Sequence, residues 1–270
     1  MLIIFNRLGV KPSRLFSFWC FMPRLNSKQP LYCKSTTKYM ARELHISTLY
    51  PLFTGNLSLP KDKQYWFLCN LQENTETSEI HQLTKQRDFG LFTSIENCYG
   101  VDRDKVVIKK NKKYYPKANW IPGEWDKVIR SASGEQNKYF DPALVYLDTT
   151  SFEDREPAVD LLKETLNLCQ KDTLVICNLM MNNPRAGLGD FLFNPDAIVD
   201  NLLKSDNQEA FKDWNISPDY EDEQVWHSYQ YQTSCTVMRS YIFFKGVFPK
   251  ESDLFNAFEE YSEWCDLFSI

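Results

Sequence analysis

Three apolar runs in the sequence each lead to a carboxylate: Tyr99-Gly100-Val101-Asp102, Trp120-Ile121-Pro122-Gly123-Glu124 and Leu147-Asp148-Thr149-Thr150. Such a run can be a strand that delivers its acid to one edge of a sheet, and open α/β sheets bind ligands beyond the carboxyl ends of their strands. Asp102, followed by Arg103 and Asp104, could accept two sugar hydroxyls through both oxygens. Its alternative role is a helix N-cap, which Asp104 could equally provide. Asp148 could align an acceptor amine or hydroxyl and receive its proton, or cap the helix that follows. Trp125, after Gly123 and Glu124, could stack on a flat heterocycle or fill a core. Asn70, Gln72 and Glu79 follow a fourth apolar run, and no glycine stands between Cys69 and Asn74.

The elements that must position these groups can be read from periodicity. Gln64–Asn70 is apolar and bounded by polar residues, as a buried strand is. The stretch 76–85 carries Ser78 ahead of a helical pattern with Ile80 and Leu83 one turn apart. Cys98–Val101 is a second strand, leading to a Lys-rich helix over Arg103–Tyr115 with Val106, Val107 and Ile108 as its buried side. Ala118–Ile121 is the third strand, stopped by Pro122-Gly123, with a helix starting at Asp126–Arg130. Ala143–Leu147 is an uninterrupted run of the kind buried on both faces; Arg155–Cys169 is an amphipathic helix and Thr173–Cys177 a fifth strand. This alternation predicts right-handed βαβ units and a parallel sheet. Val225–Thr233 and Met238–Lys245 are too close for a helical crossover, so they must pair antiparallel. A terminal helix is expected over Glu251–Trp264.

Composition narrows the class. With 270 residues, 43% hydrophobic, the chain can bury one sizeable core, so one main domain is expected. The net charge of −5 hides an asymmetry: residues 1–42 hold eight Lys or Arg and no acid, leaving 23 basic against 36 acidic residues in the remainder. The expected organisation is a basic extension over 1–42, disordered or targeting, followed by one α/β domain over 43–270. Met40 is an alternative start. The eight cysteines are scattered without a C-x-x-C, and several fall in apolar runs, which suits reduced core thiols. The three histidines (His45, His81, His227) lack metal-ligand spacing, so no metal site is expected. No run approaches the roughly 20 apolar residues of a membrane span. A soluble cytoplasmic protein is expected, or a mitochondrial matrix protein if residues 1–42 are a targeting segment. Absence of G-x-G-x-x-G, Walker A, G-x-S-x-G and H-E-x-x-H patterns argues against dehydrogenase, NTPase, hydrolase and metalloprotease readings.

Over residues 64–246 the order of elements, and the residues at the strand ends, resemble the SAM-dependent methyltransferases of the Rossmann-like class, whose last strand inserts antiparallel. The resemblance implies a doubly wound, mostly parallel seven-stranded sheet with helices on both faces and a C-terminal antiparallel hairpin. S-adenosyl-L-methionine is the implied cofactor. Asp102 would hold the ribose and, with Glu124, the adenosine; Trp125 would stack on the adenine, and Arg103 and Gly123 are further implied cofactor-binding residues. Asn70, Gln72 and Glu79 would face the methionine moiety in place of the family's Gly-rich turn, whose glycines this sequence lacks. Asp148 would orient the methyl acceptor, although Thr149 and Thr150 replace the two prolines found here in amino-methylating nucleic-acid enzymes. The missing glycines leave a second reading open, a methyltransferase-like binding or scaffold protein without catalysis.

Two further stretches bear on partners. Lys109, Lys110, Lys112 and Lys113, with Tyr114 and Tyr115, form the one dense basic patch of the acidic body and could track a nucleic-acid backbone; a solvated helix face is the alternative. The loop Met180–Gly189, with Arg185, follows the fifth strand, where a substrate-facing loop belongs in this topology.

Overall fold

The computed structural model describes residues 36–72, 78–134, 139–152, 156–180, 214, 227–232, 237–247, 249–250, 253 and 256. The apolar runs form the sheet. Its strands are β1 (Gln64–Leu68), β2 (Cys98–Asp102), β3 (Asn119–Pro122), β4 (Pro142–Phe152), β5 (Leu174–Met180), β6 (His227–Gln232) and β7 (Val237–Phe244). They lie in the order β3-β2-β1-β4-β5-β7-β6. The first five run parallel, and β7 enters antiparallel between β5 and β6. The expected seven-stranded, mostly parallel sheet with a terminal hairpin is therefore present. Between β1 and β4 the chain reverses its direction of travel across the sheet, so this is the switch point at which such folds bind ligands.

The helices are α1 (Thr36–Leu44), continued by a π turn (His45–Leu49), α2 (Tyr50–Thr54), α3 (Glu79–Thr84), α4 (Lys105–Tyr114), α5 (Trp125–Ser133) and α6 (Glu156–Leu168). Gly55 ends α2 in the left-handed conformation, φ 71°, its N–H donating to the Pro51 carbonyl. Ser78 caps α3 by accepting from the His81 N–H, and Asp104 caps α4 by accepting from the Val106 N–H. Strand alternation splits the core in two. One face presents Phe67, Leu144, Tyr146, Ile176, Ile242 and Phe244 to α1 through α4. The other presents Trp66, Val145, Leu147, Val175, Tyr241 and Phe243 to α5 and α6.

Three expectations are corrected. The domain boundary at 42/43 falls inside α1, whose Met40, Ala41 and Leu44 are buried in the first core. The basic composition of residues 1–42 masked an apolar stripe at helical spacing. On α4, Val106 is exposed and Ile108 carries the burial with Asn111, because the helix is rotated to place Asn111 against the loop after β1. β4 runs past Leu147 to Phe152 through a register shift beyond Asp148, a bulge of the kind that re-aims side chains at strand ends. The sequence expectations for 181–189 and, apart from isolated positions, for 251–264 lie outside the described residues.

Gly100 sits in β2 where no side chain fits: a Cβ there would lie 2.5 Å from the Trp120 ring and 3.1 Å from the Cys69 Cβ. Gly100→Ala should destabilise the protein by about 1–3 kcal/mol through overpacking, measured as a lower urea midpoint with an unchanged m value. An unchanged midpoint would mean that Trp120 can step aside.

Candidate functional site

The ends of β1, β2 and β3 bring Asn70, Asp102 and Gly123 to one rim. The Cys69 N–H donates to the Val101 carbonyl at 2.9 Å and the Gly123 N–H to the Asp102 carbonyl at 2.9 Å, so the three strand ends are tied together. Asp102 is half-buried; one carboxylate oxygen accepts from the Asp104 N–H at 2.8 Å. Its other oxygen has no hydrogen-bond partner among the described residues. Burial raises its proton affinity, as does Asp104, while the hydrogen bond from the Asp104 backbone opposes both. Asp104 takes the N-cap of α4, so the two roles open to this pair of acids are divided between them. Arg103 is exposed beside them.

Glu124 is exposed and ion-pairs with Lys127 on the first turn of α5. Trp125 turns inward instead: it is buried, meets Trp66 edge to face and donates from Nε1 to the Thr165 hydroxyl at 2.8 Å. Of the two roles open to Trp125, this placement is the core one. The rim therefore contains Asn70, Asp102, Arg103, Gly123 and Glu124, and Trp125 lies behind it.

Gln72 and Glu79 are placed elsewhere. The Gln72 N–H donates to Asn111 Oδ1 at 2.7 Å, and Asn111 Nδ2 donates to the Asn70 carbonyl at 2.9 Å. Gln72 Oε1 in turn accepts from the backbone N–H groups of Glu79 at 2.9 Å and Ile80 at 3.4 Å. With His81 N–H on the Ser78 hydroxyl, the first-turn donors of α3 are used within the chain. A helix N-terminus is a natural anion site; this one is filled by Gln72.

Glu79 and Asp148 belong to a buried ionic cluster on the first face. Lys38 Nζ on α1 lies 2.6 Å from Asp148 Oδ2, with both side chains 5% exposed. One turn on, Arg42 lies 3.8 Å from Glu79 and donates to Gln82 at 3.0 Å. Tyr65 donates its hydroxyl to Glu79. Asp148, Asn178 and Ser240 face one another across β4, β5 and β7; Ser240 hydrogen-bonds Asn178, whose Nδ2 donates to the Tyr146 hydroxyl at 2.6 Å and reaches Asp148 Oδ1 at 3.5 Å. Asp148 is therefore an ion-pair partner in a polar ladder, and neither a helix cap nor open to solvent.

Burial dominates the electrostatics here. It pushes the Glu79 carboxyl up to about 7, although Arg42 and Tyr65 favour its charge. It lowers His45 to about 3, helped by Arg42, so this histidine is neutral. Burial likewise works against charge on Glu43, yet hydrogen bonds from Arg87, Gln82 and Ser47 hold it at about 2. Cys69, Cys98, Cys169 and Cys177 are free and buried, and burial raises all four thiols, in accord with reduced core cysteines. Among the described residues no group of His, Cys, Asp and Glu could hold a metal, and no helix is long and apolar enough to cross a membrane.

Sequence reasoning missed Lys38, Arg42, Asn111, Tyr146, Asn178 and Ser240. The first two stood in a basic segment set aside as an extension. Met40, Ala41 and Leu44 at helical spacing were the signal that could have recovered them.

The sheet order, with its inserted antiparallel strand and carboxylate-bearing strand ends, defines a Rossmann-like α/β fold of the methyltransferase type. No protein-family profile matches the chain, and no curated protein matches it. Among solved structures, a putative sarcosine dimethylglycine methyltransferase from Galdieria sulphuraria is similar at 9% identity, over 78% of this chain and 85% of that one, with a TM-score of 0.44. An O-methyltransferase from Bacillus cereus in complex with SAH is similar at 10% identity, over 76% and 90%, with a TM-score of 0.39. DesVI from Streptomyces venezuelae is similar at 12% identity with a TM-score of 0.36, over 53% of this chain; the match spans about half of that protein, 51%.

Two outcomes test the buried cluster. Lys38→Met should cost about 3–5 kcal/mol by stranding the Asp148 charge, and the added change Asp148→Leu should recover most of it; urea unfolding measures both, and a cost below about 1 kcal/mol would mean the pair is solvated. Native Glu79 keeps its proton to about pH 7, whereas its ordinary value is 4.5. Its contribution is thus full below pH 4.5 and lost as pH rises through about 7. Glu79→Gln should therefore flatten the decline in stability across that window, by about 1.4 kcal/mol per pH unit. Parallel pH profiles for variant and parent would contradict the assignment.

Proposed function

We propose that the chain is a SAM-dependent methyltransferase whose cofactor enters at the rim formed by β1, β2 and β3. The observation that carries this reading is Asp102: a half-buried carboxylate at the end of β2, beside the switch point, with one oxygen uncommitted. The neighbouring acids are engaged, Asp104 as a cap, Glu124 with Lys127, Glu79 with Tyr65 and Arg42, and Asp148 with Lys38. Asp102 can accept from the ribose hydroxyls, Gly123 leaves room at the rim, and Arg103, Glu124 and the Asn70 side chain border it. The residues fit the adenosine half of the cofactor.

They fit the methionine half less directly, because the first-turn donors of α3 are held by Gln72 and Ser78. In this reading Asn70 and Gln72 meet that half with side chains, and Gln72 exchanges its bond to α3 for one to the ligand. When bound, the cofactor supplies an electrophilic methyl group. Asp148 orients the acceptor and takes its proton, which requires Lys38 to release one carboxylate oxygen. A cofactor-binding or scaffold protein without catalysis is the second reading. The internally filled α3 terminus and the closed Lys38–Asp148 pair favour it.

Calorimetric titration with SAM and with its demethylated product separates these readings. Micromolar binding is expected, weakened roughly 10- to 100-fold in Asp102→Ala. No binding at millimolar ligand would overturn the cofactor assignment and leave the scaffold reading.

A further inference from the structure

The α4 helix carries a feature that neither its packing nor its stability explains. Lys105, Lys109, Lys110, Lys112 and Lys113 are all exposed; Lys109, Lys110 and Lys113 lie away from the buried Ile108 and Asn111, and Lys105 and Lys112 flank them. No acidic residue lies within α4, and among the described residues none of these five lysines ion-pairs with a carboxylate. Lysines 105 and 109, and 109 and 113, stand one turn apart, where like charges repel. Lys112 and Lys113 suit the negative end of the helix dipole, but Lys105 occupies the first helical position, where a cation is unfavourable. A merely solvated face would intersperse acids, as the strongly acidic remainder of the chain has in abundance.

We infer that this face is a docking surface for single-stranded nucleic acid. Lys105, Lys109 and Lys113 rise along the helix at steps of about 6 Å, a row suited to a chain of phosphates, with Lys110 and Lys112 to either side of it. Tyr114, 44% exposed and one turn beyond Lys110 at the end of the helix, offers a ring on which a base can stack. A flat anionic lipid surface would satisfy the lysines and leave that ring unused. The row begins at Asp102-Arg103-Asp104 on the rim and leads away from it. A strand lying along α4 would thus present a nucleotide at the rim; that this nucleotide is the methyl acceptor rests on the methyltransferase reading, whereas docking does not.

The test is fluorescence anisotropy with a labelled single-stranded RNA and its DNA counterpart, over a salt series, using the full chain. The parent should bind with an affinity that falls as salt rises. Combined Lys105→Glu, Lys109→Glu, Lys112→Glu and Lys113→Glu substitution should weaken binding at least tenfold and reduce the log–log salt slope by about 3. Tyr114→Ala should weaken it roughly 5- to 100-fold with the slope unchanged. Unaltered circular dichroism and thermal melting verify the fold of these surface variants. No binding by the parent, equal binding by the four-lysine variant, or binding only to phosphatidylserine vesicles would overturn the inference. SAM titration of the same variants keeps a failure of the cofactor reading separate from a failure of docking.

Discussion

The arrangement depends on taking charge out of water in pairs. Asp148 ends the straight part of β4 inside the first core, and such a carboxylate is tolerable only with a partner equally removed from solvent. Lys38 supplies it from outside the sheet; one turn later Arg42 stands 3.8 Å from Glu79, a carboxyl that burial keeps protonated up to about pH 7. These contacts fix both the position and the rotation of α1. They place Met40, Ala41 and Leu44 on the sheet and make Gln82 and Glu43 the next partners, since Gln82 Nε2 donates to the Tyr39 carbonyl at 2.8 Å and to Glu43 at 2.9 Å. Hydrophobic contact alone would bring α1 to this face; the ion pairs select its register.

The same economy shapes the rim. Among the described residues after β1, Asn111 holds the loop from both sides, and Gln72 closes the start of α3. The first-turn donors of α3 are thereby used within the chain, at the expense of free donors for an anionic ligand. Asp102 escapes because Asp104 takes over the capping of α4, which leaves a carboxylate with one unassigned oxygen beside the switch point.

The sheet was legible because its cause is local. Runs such as Ala143–Leu147 and Thr173–Cys177 are buried on both faces and say so in composition, and the short gap before Met238 excludes a crossover. Asp102 at the end of β2 was legible too, since a polar residue ending an apolar run is a local event; Asp148 reads as a strand end, but β4 continues past it to Phe152. What could not be read is pairing across long sequence distance: Lys38 with Asp148, 110 residues apart, or Ser240 with Asn178. Trp125 shows the same limit, because its two roles differ only in which way the ring turns, and Thr165 decides that from another helix. The basic composition around α1 suggests a leader, whereas the helical spacing of Met40, Ala41 and Leu44 marks a buried face.

Native-state hydrogen exchange tests most directly whether α1 is an integral part of the fold, held by its buried pairs. If the Lys38 and Arg42 pairs hold it, the amides of residues 40–44 exchange only through global unfolding, at the rates of β4 and β5. Exchange of those amides at rates near those of an unfolded peptide, while β4 and β5 remain protected, would contradict the account.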